Sequence, residues 1–432
     1  MGRNRKYTRL RVLLNGAHIG ILARDASGTA EFTYAETWLR SARPIPVSQS
    51  LPLRELTYRG TSVETYFDNL LPDNEDIRRR IAERMATAGK GTLDLLEAIG
   101  RDCVGSLQFI PEGEPLPKPR SLQGEPLSDS DIADILKNFK NSPLGLNRKV
   151  EFRISIAGVQ EKTALLFWEG RWHRPRGTTP TSHILKPSMG PLPNGIDMSE
   201  SVHNEWLCLK LSEHFGLPVA HAEIRTFDGI DCLVVERFDR EWSEDRRRLK
   251  RIPQEDLCQA LGVPWSRKYE SDGGPGIMTI MDFLNASDRR DKDREQFLRA
   301  QLVFFVLGAV DGHAKNFSLT LTPNGFRLTP IYDVMTIWPA LTARQIEPKR
   351  AKLAMAIGNN KHYRLGEIHR RHWEQTAKKA GFPADALHSL LQDLLNRSKS
   401  LDALLNRLSR HVSDQLIHST ETGIRKHLDM LK

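Results

Sequence analysis

A chain of 432 residues with 39% apolar and 27% charged side chains has the make-up of an ordinary soluble globular protein, long enough for two or three domains. Its net charge of +9 suits an acidic partner such as a nucleic acid or a nucleotide, and suits solubility alone equally well. Cys103, Cys208, Cys232 and Cys258 show no paired spacing, so neither a disulfide framework nor a zinc site is indicated. With neither a signal-peptide core nor a membrane-length apolar run, a reduced, cytoplasmic protein with no membrane partner is expected.

The positive excess is partly local. Arg3, Arg5, Lys6, Arg9 and Arg11 open the chain, and Arg246, Arg247, Arg248, Lys250 and Arg251 follow Asp245. Such runs read first as solvated faces and second as nucleic-acid contacts.

Tyr7–Leu14, His18–Ala23 and Glu31–Tyr34 read as short strands separated by turns at Asn15-Gly16 and Ser27-Gly28. A helix over Val63–Leu71 breaks at Pro72, and Asp73 or Asn74 can cap a second over Glu75–Met85. Residues 92–99 are helical and Gly105–Ile110 is a strand. The proline- and glycine-rich stretch Pro111–Leu127 reads as a linker, followed by a short helix, Ser128–Phe139.

Phe152–Ile156 and Thr163–Phe167 read as a hairpin around Ala157, Gly158, Val159, Gln160, Glu161 and Lys162. A glycine and a lysine here suit a loop lying over phosphates, although it lacks the Gly-Lys-Ser/Thr ending of a Walker A motif. Thr181–Pro187 is a strand carrying Lys186, and Met198–Phe215 an amphipathic helix carrying Glu205. A strand lysine on nucleotide phosphates, held by a helix glutamate, is the kinase arrangement; taken alone, the two residues read as surface charges. Strands Ala222–Phe227 and Cys232–Phe238 follow, and Glu236, Arg237 and Phe238 are where a hinge would offer backbone groups to adenine. Helices are expected over Gln254–Leu261, Ile277–Asn285 and Asp293–Val310, with a polar, glycine-rich loop at Tyr269–Gly276.

The apolar run Leu302–Val310 delivers Asp311, His313 and Asn316. Asp311 and Asn316 have the spacing of the base and the magnesium-binding Asn in a kinase catalytic loop. Asp333, beside Tyr332, supplies a third group after two β-like runs joined by Pro323-Asn324-Gly325. Leucines at three- and four-residue spacing near the C-terminus read as helical core packing. Phosphate-side loop, strand lysine, helix glutamate, hinge, Asp/Asn loop and final Asp stand in kinase order. In that order Asp311 accepts the hydroxyl proton, Asn316 and Asp333 hold Mg²⁺, and Lys186 clamps phosphate oxygens.

ISIAGVQEKTALL, HILKP, VERFDR, PQEDLCQALG, KYESDGGPG and DGHAKNFSL closely resemble HipA, the kinase toxin family of bacterial HipBA toxin–antitoxin systems. The resemblance runs from the N-terminal strands to at least Asp333. It implies an α+β, two-lobed kinase-like fold: an N-terminal β-rich subdomain (1–125), a nucleotide-binding β lobe (126–250) and an all-helical C-terminal lobe (251–432). It implies a serine/threonine kinase using ATP and Mg²⁺, with glutamyl-tRNA synthetase as substrate, translation halted and persistence promoted. Family catalytic positions match Asp311, Asn316, Asp333 and Lys186. Nucleotide contacts match residues 157–162, Glu236, Arg237, Phe238, His313 and Tyr332, and Ser155 matches the self-inactivating autophosphorylated serine. The implied partner is HipB, a helix-turn-helix antitoxin dimer that carries the toxin to operator DNA as part of a repressor. Val159 departs from the family's expected alanine. A non-catalytic DNA-bound co-repressor and a small-molecule phosphotransferase remain the competing readings.

Overall fold

The computed structural model describes residues 9–116, 122–146 and 152–432. Tyr7 and the basic residues Arg3, Arg5 and Lys6 lie outside the described residues. The first sheet has five antiparallel strands in the order Tyr58–Arg59, Ala30–Tyr34, Ala17–Arg24, Arg9–Leu14, Leu107–Pro111. Asn15 and Gly16, both at positive φ, make the turn that lays the first two strands side by side. Helices Thr61–Asp68 and Thr92–Ile99 pack on this sheet, and Phe32, Phe67 and Phe109 meet in the core. Of the two candidate caps for helix Glu75–Met85, Asn74 takes the role, accepting from the amides of Asp76 at 2.9 Å and Ile77 at 3.1 Å.

The second sheet has six antiparallel strands in the order Ala222–Phe227, Ile230–Glu236, His183–Pro187, Thr163–Trp168, Arg171–Pro175, Gly124–Leu127. The end of the proline-rich stretch is therefore an edge strand, where Pro126 removes no ladder bond from a central position. Helix Ser201–His214 packs across the first two strands of this order and carries Glu205 to them.

The hairpin expected across residues 157–162 is absent. Thr163–Trp168 is a strand, but Phe152–Ile156 does not pair with it. Phe152, Ile154 and Ile156 are buried in the core of the first sheet, where Ile154 bridges Asp102. Alternation fixes which side chains go inside; it does not say which core receives them.

The C-terminal lobe is helical around Arg290–Leu307, which is buried along most of its length. This helix ends before the expected Val310 because Gly308 takes φ 65° and the amides of Gly308 and Ala309 close onto the carbonyls of Phe305 and Phe304. The lobe is not all-helical. Gln254–Asp256, Ser318–Thr322 and Gly325–Leu328 form a small sheet, and Lys352–Ile357 pairs with His362–Arg364. The helix expected over Gln254–Leu261 is a strand followed by one turn, Leu257–Ala260, because Asp256 caps that turn in a reciprocal box with Gln259. All four cysteines are buried free thiols. Among the described residues no helix is long and apolar enough to cross a membrane.

Candidate active site

A cavity of about 580 Å³ opens where the second sheet, the C-terminal lobe and the turn at Asn69–Asp73 converge. On one wall Lys186 projects from the strand His183–Pro187, held in the sheet between Ile230–Glu236 and Thr163–Trp168. Its Nζ donates to Glu205 Oε1 at 2.7 Å and to Asp333 Oδ1 at 3.0 Å. The Lys186 and Glu205 side chains are only 8% and 3% exposed. Burial opposes the charge on Lys186, but the Asp333 and Glu205 carboxylates outweigh it and hold its pKa above the ordinary lysine value. Burial likewise opposes the Asp333 charge, and Lys186 and then Lys162 overcome it, so this carboxyl is held below the usual range. Burial raises Glu205, against the pull of Lys186. Asp333 sits at φ 60°, a left-handed conformation that aspartate tolerates better than most residues.

The 157–162 loop lies beside this cluster, and all six of its residues line the cavity. Gly158 has φ 106°, a conformation that demands glycine, and a Cβ there would displace Lys162 Nζ, 2.6 Å away. Lys162 Nζ donates to the Ala157 carbonyl at 2.9 Å. Burial, and then Lys186, push the Lys162 pKa down to about 8. Gln160 Nε2 donates to the Pro187 carbonyl at 3.1 Å, and Glu161 pairs with Arg80 of helix Glu75–Met85. Val159 is the exposed tip.

The hinge candidates also line the cavity, with an unexpected division of labour. The amide of Glu236 donates to the His221 carbonyl and that of Arg237 to the Ser182 carbonyl, each at 2.9 Å, so neither is free for a ligand. The Arg237 guanidinium turns away, onto Asp239, Thr181 and the Cys103 carbonyl. Arg251, counted above with the basic run, is also buried and donates to Asp102 at 2.8 Å. Phe238 packs its ring against Tyr332 at 5.5 Å.

The opposite wall carries Asp311, whose side chain is 57% exposed. Tyr269 donates its hydroxyl to Asp311 Oδ1 and sets its ring edge-on to His313 at 4.9 Å. His313 is buried with Nδ1 unpartnered, and burial lowers its pKa despite Asp311 nearby. Asn316 Nδ2 donates to the Asp311 carbonyl at 2.7 Å, and the Tyr332 hydroxyl donates to the Lys315 carbonyl at 3.0 Å. Asp311, His313, Asn316, Tyr332 and Asp333 thus share one cavity with Lys186. Ser155 does not join them. It is fully buried, with its amide on the Asp102 carbonyl at 3.0 Å and its hydroxyl on the Leu70 carbonyl at 2.7 Å. Asn69, Asp73, Asp256 and Lys268 also line the cavity, and Tyr269 bonds Asp311; sequence reasoning gave none of the five a site role. The KYESDGGPG motif is the signal that holds two of them. Among the described residues no group of three or more His, Cys, Asp or Glu side chains could hold a metal ion by itself.

Two lobes, a strand lysine held by a helix glutamate, and an Asp–Asn loop facing a second aspartate define a kinase-like protein. Residues 154–401 match the HipA-like C-terminal domain, and residues 10–110 match the HipA N-terminal domain. Protein Y4mE of Sinorhizobium fredii is 33% identical over 417 residues, spanning 95% of this chain and 94% of its own. The serine/threonine-protein kinase toxin HipA of Shewanella oneidensis is 29% identical over 364 residues, spanning 82% and 79%. The solved Shewanella oneidensis HipA, in complex with HipB and its operator DNA, has the same fold, with a TM-score of 0.79 at 23% identity over 98% of this chain and 96% of that one. The chain belongs to the HipA family.

Proposed function

We propose that this chain is an ATP- and magnesium-dependent serine/threonine-protein kinase. The reading is carried by Lys186, locked between Glu205 and Asp333 on one wall of a cavity whose other wall presents Asp311. Phosphoryl transfer asks a protein for positioning and charge neutralisation more than for covalent chemistry. Lys186 and Lys162 hold phosphate oxygens, and Glu205 orients Lys186. Asp311 accepts the proton of an acceptor hydroxyl, and its exposure lets a protein segment reach it. Asn316 and Asp333 fit a magnesium ion. Asp333 is held ionised, and the Asn316 nitrogen is engaged on the Asp311 carbonyl, so its oxygen is the end offered to a cation. One carboxylate and one amide suit an ion that takes its remaining ligands from phosphates and water. When bound, magnesium would neutralise charge on the phosphoryl group.

Y4mE carries the word kinase in its name, and the Shewanella relative is named a kinase toxin and was solved with HipB and operator DNA. On that support we assign this chain the toxin role in a type II toxin–antitoxin pair. A helix-turn-helix antitoxin neutralises it and carries it to operator DNA, glutamyl-tRNA synthetase is its substrate, and autophosphorylation of Ser155 inactivates it. The exposed turn at Arg246, Arg247 and Arg248 is the basic surface available to DNA. Ser155 must leave its core before any base can reach it. A phosphate of about −1.5 to −2 charges could not then return to the Leu70 carbonyl.

The test is to incubate the chain with Mg-ATP and glutamyl-tRNA synthetase and map phosphopeptides on both proteins. Phosphate on the synthetase and on Ser155 is the expected result. Nucleotide-independent DNA binding with the antitoxin and no transfer would point to a co-repressor. Transfer to small hydroxyl compounds alone would point to a small-molecule phosphotransferase.

A further inference from the structure

The turn Asn69–Asp73 joins two helices of the N-terminal core, where Leu70 and Leu71 are buried. Its polar groups face the other way, into the cavity wall. The Asp73 side chain is 2% exposed, with Oδ2 at 3.2 Å from Lys268 Nζ and Oδ1 at 3.0 Å from Lys315 Nζ. Lys315 Nζ also donates to the Asn69 carbonyl at 3.1 Å and to its Oδ1 at 3.0 Å. The Asp73 amide donates to the Gly158 carbonyl at 3.1 Å.

Each partner belongs to a segment that frames the site. Lys315 stands next to Asn316 in the Asp311 segment. Lys268 precedes Tyr269, whose hydroxyl is on Asp311. Gly158 is the turn of the 157–162 loop. That loop has no strand ladder, and Ala314–Asn316 is a single 3-10 turn. Buried carboxylate–lysine clusters are also found where they do nothing but satisfy one another. Here, however, a single turn from another domain reaches three separate segments around one cavity.

We propose that the Asn69–Asp73 turn is a positioning element of the phosphotransfer site, with Asp73 its central residue. It holds the Asp311–Asn316 segment through Lys315, Tyr269 through Lys268, and the 157–162 loop through Gly158. The proposal rests on the kinase reading above and makes the N-terminal domain part of the active site. Burial works against the Asp73 charge, and Lys315 and then Lys268 overcome it, so the tether is ionic at neutral pH.

The test compares the full chain with Asp73→Asn and with the double variant Asp73→Asn/Lys315→Met. Readouts are kcat, KM for ATP, melting temperature, and hydrogen exchange of peptides covering 155–162 and 311–317. Asp73→Asn should lower kcat by about 10²-fold, the scale of an ångström's misplacement, and both peptides should exchange faster. The double variant removes both charges of the Asp73–Lys315 pair, while Lys268 loses its carboxylate in either variant and Asp256, 3.6 Å from Lys315, loses its lysine in the double. It should regain neither kcat nor protection. A double variant that recovers both would overturn the proposal, as would an Asp73→Asn protein with both peptides protected as in the wild type. If Asp73→Asn does not fold, the double variant decides alone. A wild type that binds Mg-ATP but transfers nothing would end the kinase reading, while exchange in the double variant would still decide whether the turn holds the loops.

Discussion

On one wall of the cavity Lys186 bonds both Glu205 and Asp333 before any ligand arrives; Lys186 and Glu205 are buried and the Asp333 side chain is 32% exposed. On the other, Asp311 is more than half exposed, and among the described residues its side chain bonds Tyr269 and lies 3.8 Å from His313. The first wall is organised by charges taken out of water, where a missing partner is costly. The second is organised by a hydrogen bond at the surface, where a missing partner is replaced by solvent. Under the kinase function proposed above, the difference matches two tasks. A wall that receives the same nucleotide each time gains from a fixed charge array, whereas a wall that must admit a protein hydroxyl gains from access. Damage to the first wall should therefore appear in stability and nucleotide affinity together, and damage to the second in turnover alone.

The largest expected effect comes from Lys186→Met. It leaves the buried Glu205 and the partly exposed Asp333 without their shared cation, so thermal and urea melts should report a loss of about 3–5 kcal/mol, with phosphoryl transfer lost alongside. A variant with the wild-type melting temperature would mean that this wall is not interlocked. Tyr269→Phe probes the second wall. It should lower turnover about tenfold, the worth of one hydrogen bond to a charged group, with nucleotide affinity and melting temperature unchanged. A shift in nucleotide affinity would blur the distinction between the walls. The smallest effect is a pH dependence confined to the first wall. Lys162, with its pKa of about 8 in the fold, loses its charge as pH rises through that value. Calorimetric titrations from about pH 7 to about pH 9 should show nucleotide binding weakening, and Lys162→Met should remove the trend. Its folded pKa lies below the ordinary 10.5, so the unfolded chain binds more protons between the two values. Folding stability contributed by this site therefore rises as pH climbs from about 8 to about 10.5.

What the sequence discloses is what is local or ordered along it. The Asp311–Asn316 spacing, the hairpin after it and the Lys186-then-Glu205 order can be read directly, because each is set within one element or by the succession of elements. The alternation at Phe152–Ile156 shows burial but not the partner, and the structure gives these residues to the N-terminal core. Asp73 is legible only as a cap, a role that Asn74 takes, because its own partner Lys268 lies 195 residues away. Arg237 falls at a hinge position by its place after a strand, yet nothing nearby announces that its side chain belongs to Asp239 and its amide to Ser182. The three polar residues Gln254, Glu255 and Asp256 carry no strong period, and their strand pairing is a tertiary fact. Substrate and partner are not written in the geometry at all; they come from the resemblance to a family.

The most direct test of the proposed phosphotransfer site compares the wild type with Asp311→Asn, each checked by intact mass to be unmodified at the start. Mg-ATP binding is followed by calorimetry and phosphate incorporation by peptide mapping. Asp311→Asn should lose transfer by about 10²- to 10⁴-fold and keep nucleotide affinity within about twofold, because the base acts in the transition state and not on the bound nucleotide. An Asp311→Asn protein that transfers phosphate at the wild-type rate would contradict the account, and so would an unmodified wild type that binds no nucleotide.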